Sequence, residues 1–230
     1  MCLVPKFHMY GNGVNQNLAR GYTGSDMDIQ KLDKTVDALI RTKQFAEAEA
    51  ILSEARQEAT DSADPNALDW VLSQFVFLCW AKEPPDVLRA EQFCLEREAA
   101  RDTAYNKYRT AMTFYWAAND HPRTVMKARE AVEKATDEGD TNTRYSALSL
   151  LGLALLDLDR TEEAGATLIE IYEMVRQRQR IVVGDETLFL ERAHTRGLDR
   201  SILKSIATTL APVCRDKAFA ERLQSLAREN

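Results

Sequence analysis

Few residues in this chain have the type and spacing to do chemistry. Glu191 and His194 form an E-x-x-H pair, and side chains three apart on a helix share a face, so both could meet one metal ion. Helical di-iron sites need a second such pair and two further Glu. The other histidines are His8, with no Glu before it, and His121, which follows Ala117, Ala118 and Asn119. The mate is missing, so His194 reads as a surface or helix-end histidine and no metal is expected. Gly11-Asn-Gly13 begins like the dinucleotide fingerprint G-x-G-x-x-G, but the sixth position is Gln16 and Pro5 interrupts the segment before it. Without a strand–turn–helix context those glycines cannot bring backbone against a pyrophosphate, so no cofactor is expected. H-E-x-x-H, G-x-S-x-G and the phosphate-binding P-loop are all absent. Cys2, Cys79, Cys94 and Cys214 make no C-x-x-C pair. Cys79 and Cys94 sit in apolar runs, where a reduced thiol acts as a small hydrophobe. An enzyme would need a site of another kind, such as a Cys–His dyad assembled by the fold.

Two stretches suggest recognition rather than reaction. Arg176, Arg178 and Arg180 alternate with Gln; alternate residues point about 200° apart on a helix, so the three make no compact basic patch and suit a helix C-terminus electrostatically. The stretch from Tyr105 to Trp116 carries two helical stripes. Tyr105, Tyr108, Met112 and Tyr115 form one; Asn106, Arg109, Thr113 and Trp116 form the other. A guanidinium and an indole on one face are common anchors for a peptide. Packing of Trp116 against a neighbouring helix is the other reading of the same spacing.

The elements that must position these residues are helices. Ala, Leu, Glu, Arg and Lys are abundant, and they lose little side-chain freedom in a helix. Only 9 Gly and 6 Pro occur among 230 residues. Hydrophobic residues make up 45% and charged residues 29%, an ordinary balance for a folded chain. The net charge of −6 gives no general attraction to nucleic acid or an anionic membrane. No apolar run reaches the roughly 18 residues of a membrane span, and the N-terminus is a poor secretion signal, so a reducing cytoplasm is expected. Residues 1–26 hold Gly11, Gly13, Gly21 and Gly24 with Asn12, Asn15 and Asn17. This is the composition of a flexible arm, or of a stretch preceding a start at Met27. From residue 27 to 230 apolar residues recur at helical spacing, which predicts helices near 27–42, 45–60, 66–83, 86–101, 103–118, 122–138, 141–158, 161–180, 185–195, 199–211 and 216–229. Pro65, Pro84, Pro85 and Pro122 fall at breaks or first turns, and Asp159 or Thr161 is placed to cap the helix opening with Glu162 and Glu163.

Helices paired by short turns invite a search for a repeat. The clearest unit runs from Tyr145 to Arg176. It has Leu148, Leu151, Gly152 and Leu155, a turn over 157–161, then Ala164 and Leu168. It resembles the tetratricopeptide repeat. Leu32, Val36 and Leu39 with Ala48, Leu52 and Ala55 fit the same template, as do Tyr108, Ala111, Met112 and Tyr115 with Ala128 and Ala131. Residues 66–99 and 199–229 fit more loosely. A compact, non-repeating bundle is the other architecture these spacings allow.

The resemblance implies an all-α superhelix of about five helix pairs, a size consistent with the period of such repeats, in which Gly152 and Ala164 let the helices of a hairpin approach. It further implies a concave face that binds a protein or peptide, with Asn106, Arg109, Thr113, Trp116, Ser146 and Ser149 on it. The carboxylate clamp of Lys, Asn and Arg used by chaperone-binding members is not matched, since Asp33, Asp37, Ser146 and Leu150 stand at the equivalent positions. The expected function is a protein- or peptide-binding scaffold. The alternatives are a regulatory domain sensing a small ligand or peptide, and a helical enzyme.

Overall fold

The structure, a computed structural model, describes residues 28–177, 187–214 and 217–228. Among them there is no strand. The helices are α1 (Ile29–Arg41), α2 (Phe45–Asp61), α3 (Pro65–Ala81), α4 (Val87–Ala100), α5 (Ala104–Met112), α6 (His121–Glu138), α7 (Thr141–Asp157), α8 (Thr161–Arg176), α9 (Thr187–Thr195), α10 (Arg200–Leu210) and α11 (Lys217–Arg228). Their order and limits follow the apolar periodicity closely. The expected arm over 1–26, the end of the basic run at Arg178 and Arg180, and the β-branched Ile181, Val182 and Val183 lie outside the described residues.

Start signals are local. Asp28, Asp64, Asp86, Asp120, Asp140 and Asp199 each accept from a backbone N–H of the turn they open, and Thr103 does so for α5. These side chains satisfy donors that have no partner within the helix. The expectation for α8 needs correcting. Its N-cap is Arg160, which makes no capping bond; Thr161 is already helical and Asp159 stands one residue too early. Arg160 instead ion-pairs with Glu163 at 2.6 Å.

Stop signals recur in one form. At Lys43, Ala63, Gly139, Asp159 and Gly197 the chain turns left-handed, with φ between 51° and 73°. The next residue's N–H then reaches back five positions: Gln44 to Leu39, Asp64 to Ala59, Asp140 to Ala135, Arg160 to Leu155 and Leu198 to Ala193, at 2.9–3.1 Å. This is the Schellman closure, which satisfies terminal carbonyls and sets the entry of the next helix. One turn departs from it. Residues Thr113–Ala117 form a π-helical turn, Asn119 takes the left-handed position, and Asp120 N–H reaches back six residues, to Phe114, at 2.8 Å.

The chain forms two compact units, meeting in sequence at Asp102 and Thr103. In the first, α3 is central: α1, α2 and α4 pack on it. Its residues Trp70, Val71, Leu72, Phe75, Val76, Leu78 and Cys79 are buried, so it is apolar nearly all round, as a helix enclosed by neighbours must be. Phe75 stacks on Phe93 of α4 with centroids 4.6 Å apart. In the second unit α7 has the central place, touching α5, α6, α8 and α9. Every residue from Ala147 to Leu156 is buried. None of the helices among the described residues is long and apolar enough to cross a membrane.

Candidate functional site

The expected inner stripe is not an open surface. Asn106 is 2% exposed and Arg109 8%; Thr113 and Ser149 are buried as well. Trp116 and Ser146 are half-buried. On the other stripe Tyr105, Tyr108 and Met112 are only partly covered, while Tyr115 is buried. The π-helical turn explains part of this. Ala118 N–H bonds to Thr113 O, five residues back, so one extra residue enters the turn. That rotates the residues beyond the turn by about 100° relative to a regular helix. Trp116 packs edge-on against Tyr115, centroids 4.6 Å apart, at the border of the core.

The polar cluster that this turn does build is a staple. Tyr115 Oη donates to Asp157 Oδ2 at 2.6 Å. Arg192 Nη1, from α9, sits 2.7 and 2.9 Å from the Asp157 oxygens and donates to Tyr115 Oη at 3.0 Å. His121 Nδ1, at the start of α6, is 4.0 Å from Asp157 Oδ2. Burial, reinforced by the bond to Asp157, pushes the Tyr115 hydroxyl far above its ordinary titration range. Arg196 adds a parallel pair to Asp159 at 2.7 Å. The cluster fixes the end of α7 to α9, and its carboxylate is already compensated. Glu191 of the E-x-x-H pair is likewise engaged elsewhere, ion-paired with Arg222 of α11. Among the described residues no three His, Cys, Asp or Glu side chains group in a way that could hold a metal.

Gly152 is a packing residue, but its partner is not within its own hairpin. A Cβ there would stand 2.4 Å from Phe189 Cε2 and Cζ. Phe189 belongs to α9 and is fully buried. Ala164, at the α7–α8 contact, is fully buried as expected.

A concavity lies beside this contact, along α7. Helices α8 and α10 pack directly on each other, whereas α6 and α8 flank α7 without comparable packing between them. The space between is a groove of about 300 Å³. Its floor is the α7 stripe Leu148, Leu151 and Leu155, residues spaced to share a helical face. Arg129, Val132 and Glu133 of α6 form one bank; Glu163, Ala166, Thr167 and Glu170 of α8 form the other. Arg129 pairs with Glu163 across the groove at 2.6 Å. Arg160, then Arg129, hold the Glu163 carboxyl below its usual range. Arg144 approaches Glu170 at 3.5 Å. The flanking helices carry two of the chain's exposed large apolar side chains: Met126 on α6, 54% exposed, and Ile169 on α8, 51% exposed. Met126 lies three and seven residues before Arg129 and Glu133, hence on their stripe.

Sequence reasoning found the floor but assigned it to packing alone. The banks left no signal, because charged residues at helical spacing look the same on a solvated face as beside a groove. No protein-family model matches the sequence, and a search of curated proteins finds no relative.

Proposed function

We propose that this chain is a tetratricopeptide-repeat-like scaffold that binds a segment of another protein, and that the groove over α7 is its recognition surface. The repeat reading draws support from the recurring Schellman turns and the small residues Gly152 and Ala164 at close contacts. The observation that carries the binding reading is the combination of an apolar floor and a polar rim, with exposed Met126 and Ile169 on the flanking helices. Binding sites characteristically pair an apolar concavity with a few polar groups that fix orientation, and methionine adapts its shape to what it meets.

A random peptide library selected against the full chain tests this. Recovered binders should slow amide hydrogen exchange along α6, α7 and α8. Ala166→Trp, which fills the groove from an exposed position, should abolish their binding and leave the circular dichroism spectrum unchanged. Binders that protect other helices and ignore Ala166→Trp would refute the assignment.

A further inference from the structure

Resting on the reading of the groove over α7 as a docking surface, we propose that its occupant is a cationic protein segment, one that sets a large apolar side chain beside Lys or Arg. Charge on the rim selects that occupant. Three carboxylates line the groove, Glu133, Glu163 and Glu170, against one guanidinium, Arg129. Arg129 is already engaged by Glu163, and Glu163 receives Arg160 as well. Glu170 has only the long contact to Arg144. Glu133 is exposed and makes no ion pair or hydrogen bond among the described residues. The groove thus presents carboxylates with unspent accepting capacity on both banks of an apolar floor.

Such a rim discriminates by sign. A Lys or Arg placed between Glu133 and Glu170 gains charge-assisted hydrogen bonds. An Asp or Glu there meets like charge in a partly desolvated setting, which costs more than it would in open water. The volume of about 300 Å³ suits one or two side chains rather than a whole helix, so the apolar anchor and its neighbouring cation are the recognised unit. The chain's net charge of −6 adds steering of the same sign.

Two synthetic peptides, acetylated and amidated, distinguish the outcomes. Both carry the same Leu-Phe core; one is flanked by Lys and the other by Glu. Against the full chain the Lys-flanked peptide should bind at least about tenfold more tightly, a difference of about 1.4 kcal/mol, and its advantage should shrink with added salt. Glu133→Lys combined with Glu170→Lys, both on exposed positions, should reverse the preference without altering the helical spectrum. Equal affinities, a preference for the Glu-flanked peptide, or no binding of either overturns the cationic assignment. The docking reading survives any of these if library-selected peptides still protect α6–α8 and still fail against Ala166→Trp; it falls with them if they do not.

Discussion

Helices α3 and α7 occupy equivalent places in their units, and they are held there by different means. Both are apolar nearly all round and wrapped by neighbours. In α3 the charged exception is Asp69, buried with Arg97 of α4 at 3.0 Å, the guanidine 1% exposed. Arg101 adds a longer contact at 3.8 Å. In α7 the closest approach is apolar: Gly152 admits the ring of Phe189. Its ion pairs, such as Asp157 with Arg192, sit at the half-exposed end of the helix. A buried charge pair demands that both partners stay enclosed. A glycine notch demands only shape, on one side. Beside the notch, between α6 and α8, the α7 stripe Leu148, Leu151 and Leu155 forms a groove floor.

The largest expected effect breaks the α3 arrangement. Asp69→Ala leaves Arg97 buried without its counter-ion, which costs about 3–5 kcal/mol; urea unfolding monitored by circular dichroism measures it. Replacing both residues by apolar ones of similar volume should recover much of the loss. Next comes the notch. Gly152→Ala drives a methyl into Phe189 and should cost about 2 kcal/mol, within the range of overpacked cores. Phe189→Leu in the same chain should make the alanine less costly than it is alone, a coupling that a double-mutant cycle reads directly. If the two substitutions are additive, Gly152 does not owe its place to that ring.

Smaller effects test what the two units share. Ala63 holds a left-handed position with φ of 51°, which costs an L residue about 1–2 kcal/mol. Ala63→Gly should stabilise by up to about 1 kcal/mol once the glycine's greater freedom in the unfolded chain is subtracted. An effect confined to alkaline pH concerns Cys79. Burial pushes its thiol from 9.0 up to about 11. The neutral thiol is the favoured folded form, so its contribution to stability is complete below pH 9 and is lost between about 9 and 11. At pH 8 the folded chain should alkylate at half-buried Cys214 before the buried Cys79 and Cys94, as peptide mapping would show. Above pH 9 stability should fall more steeply than in Cys79→Ala.

Much of the fold was legible because its signals are local. An Asp before six of the apolar runs and a period of about 3.6 residues mark where helices begin and which way most of them face. Gly152 was legible as a packing position; its partner was not, because Phe189 lies in another helix pair, beyond any pattern within the hairpin. The π-helical turn over Thr113–Ala117 carries no distinguishing residue, and the burial of Asn106, Arg109 and Thr113 depends on neighbouring helices that spacing within one helix does not show. The groove was invisible for a different reason. Whether α6 and α8 close over α7 depends on packing among three helices, while Glu133 and Glu170 read as ordinary surface charges.

The groove assignment is the central claim, and methyl NMR of the leucines tests it most directly. A library-selected peptide titrated into methyl-labelled protein should shift Leu148, Leu151 and Leu155 together, in proportion to occupancy, and leave the indole signal of Trp116 in place. Shifts confined to Trp116 and its neighbours, with the three floor leucines unmoved, would contradict the account and return recognition to the stripe of Asn106, Arg109, Thr113 and Trp116.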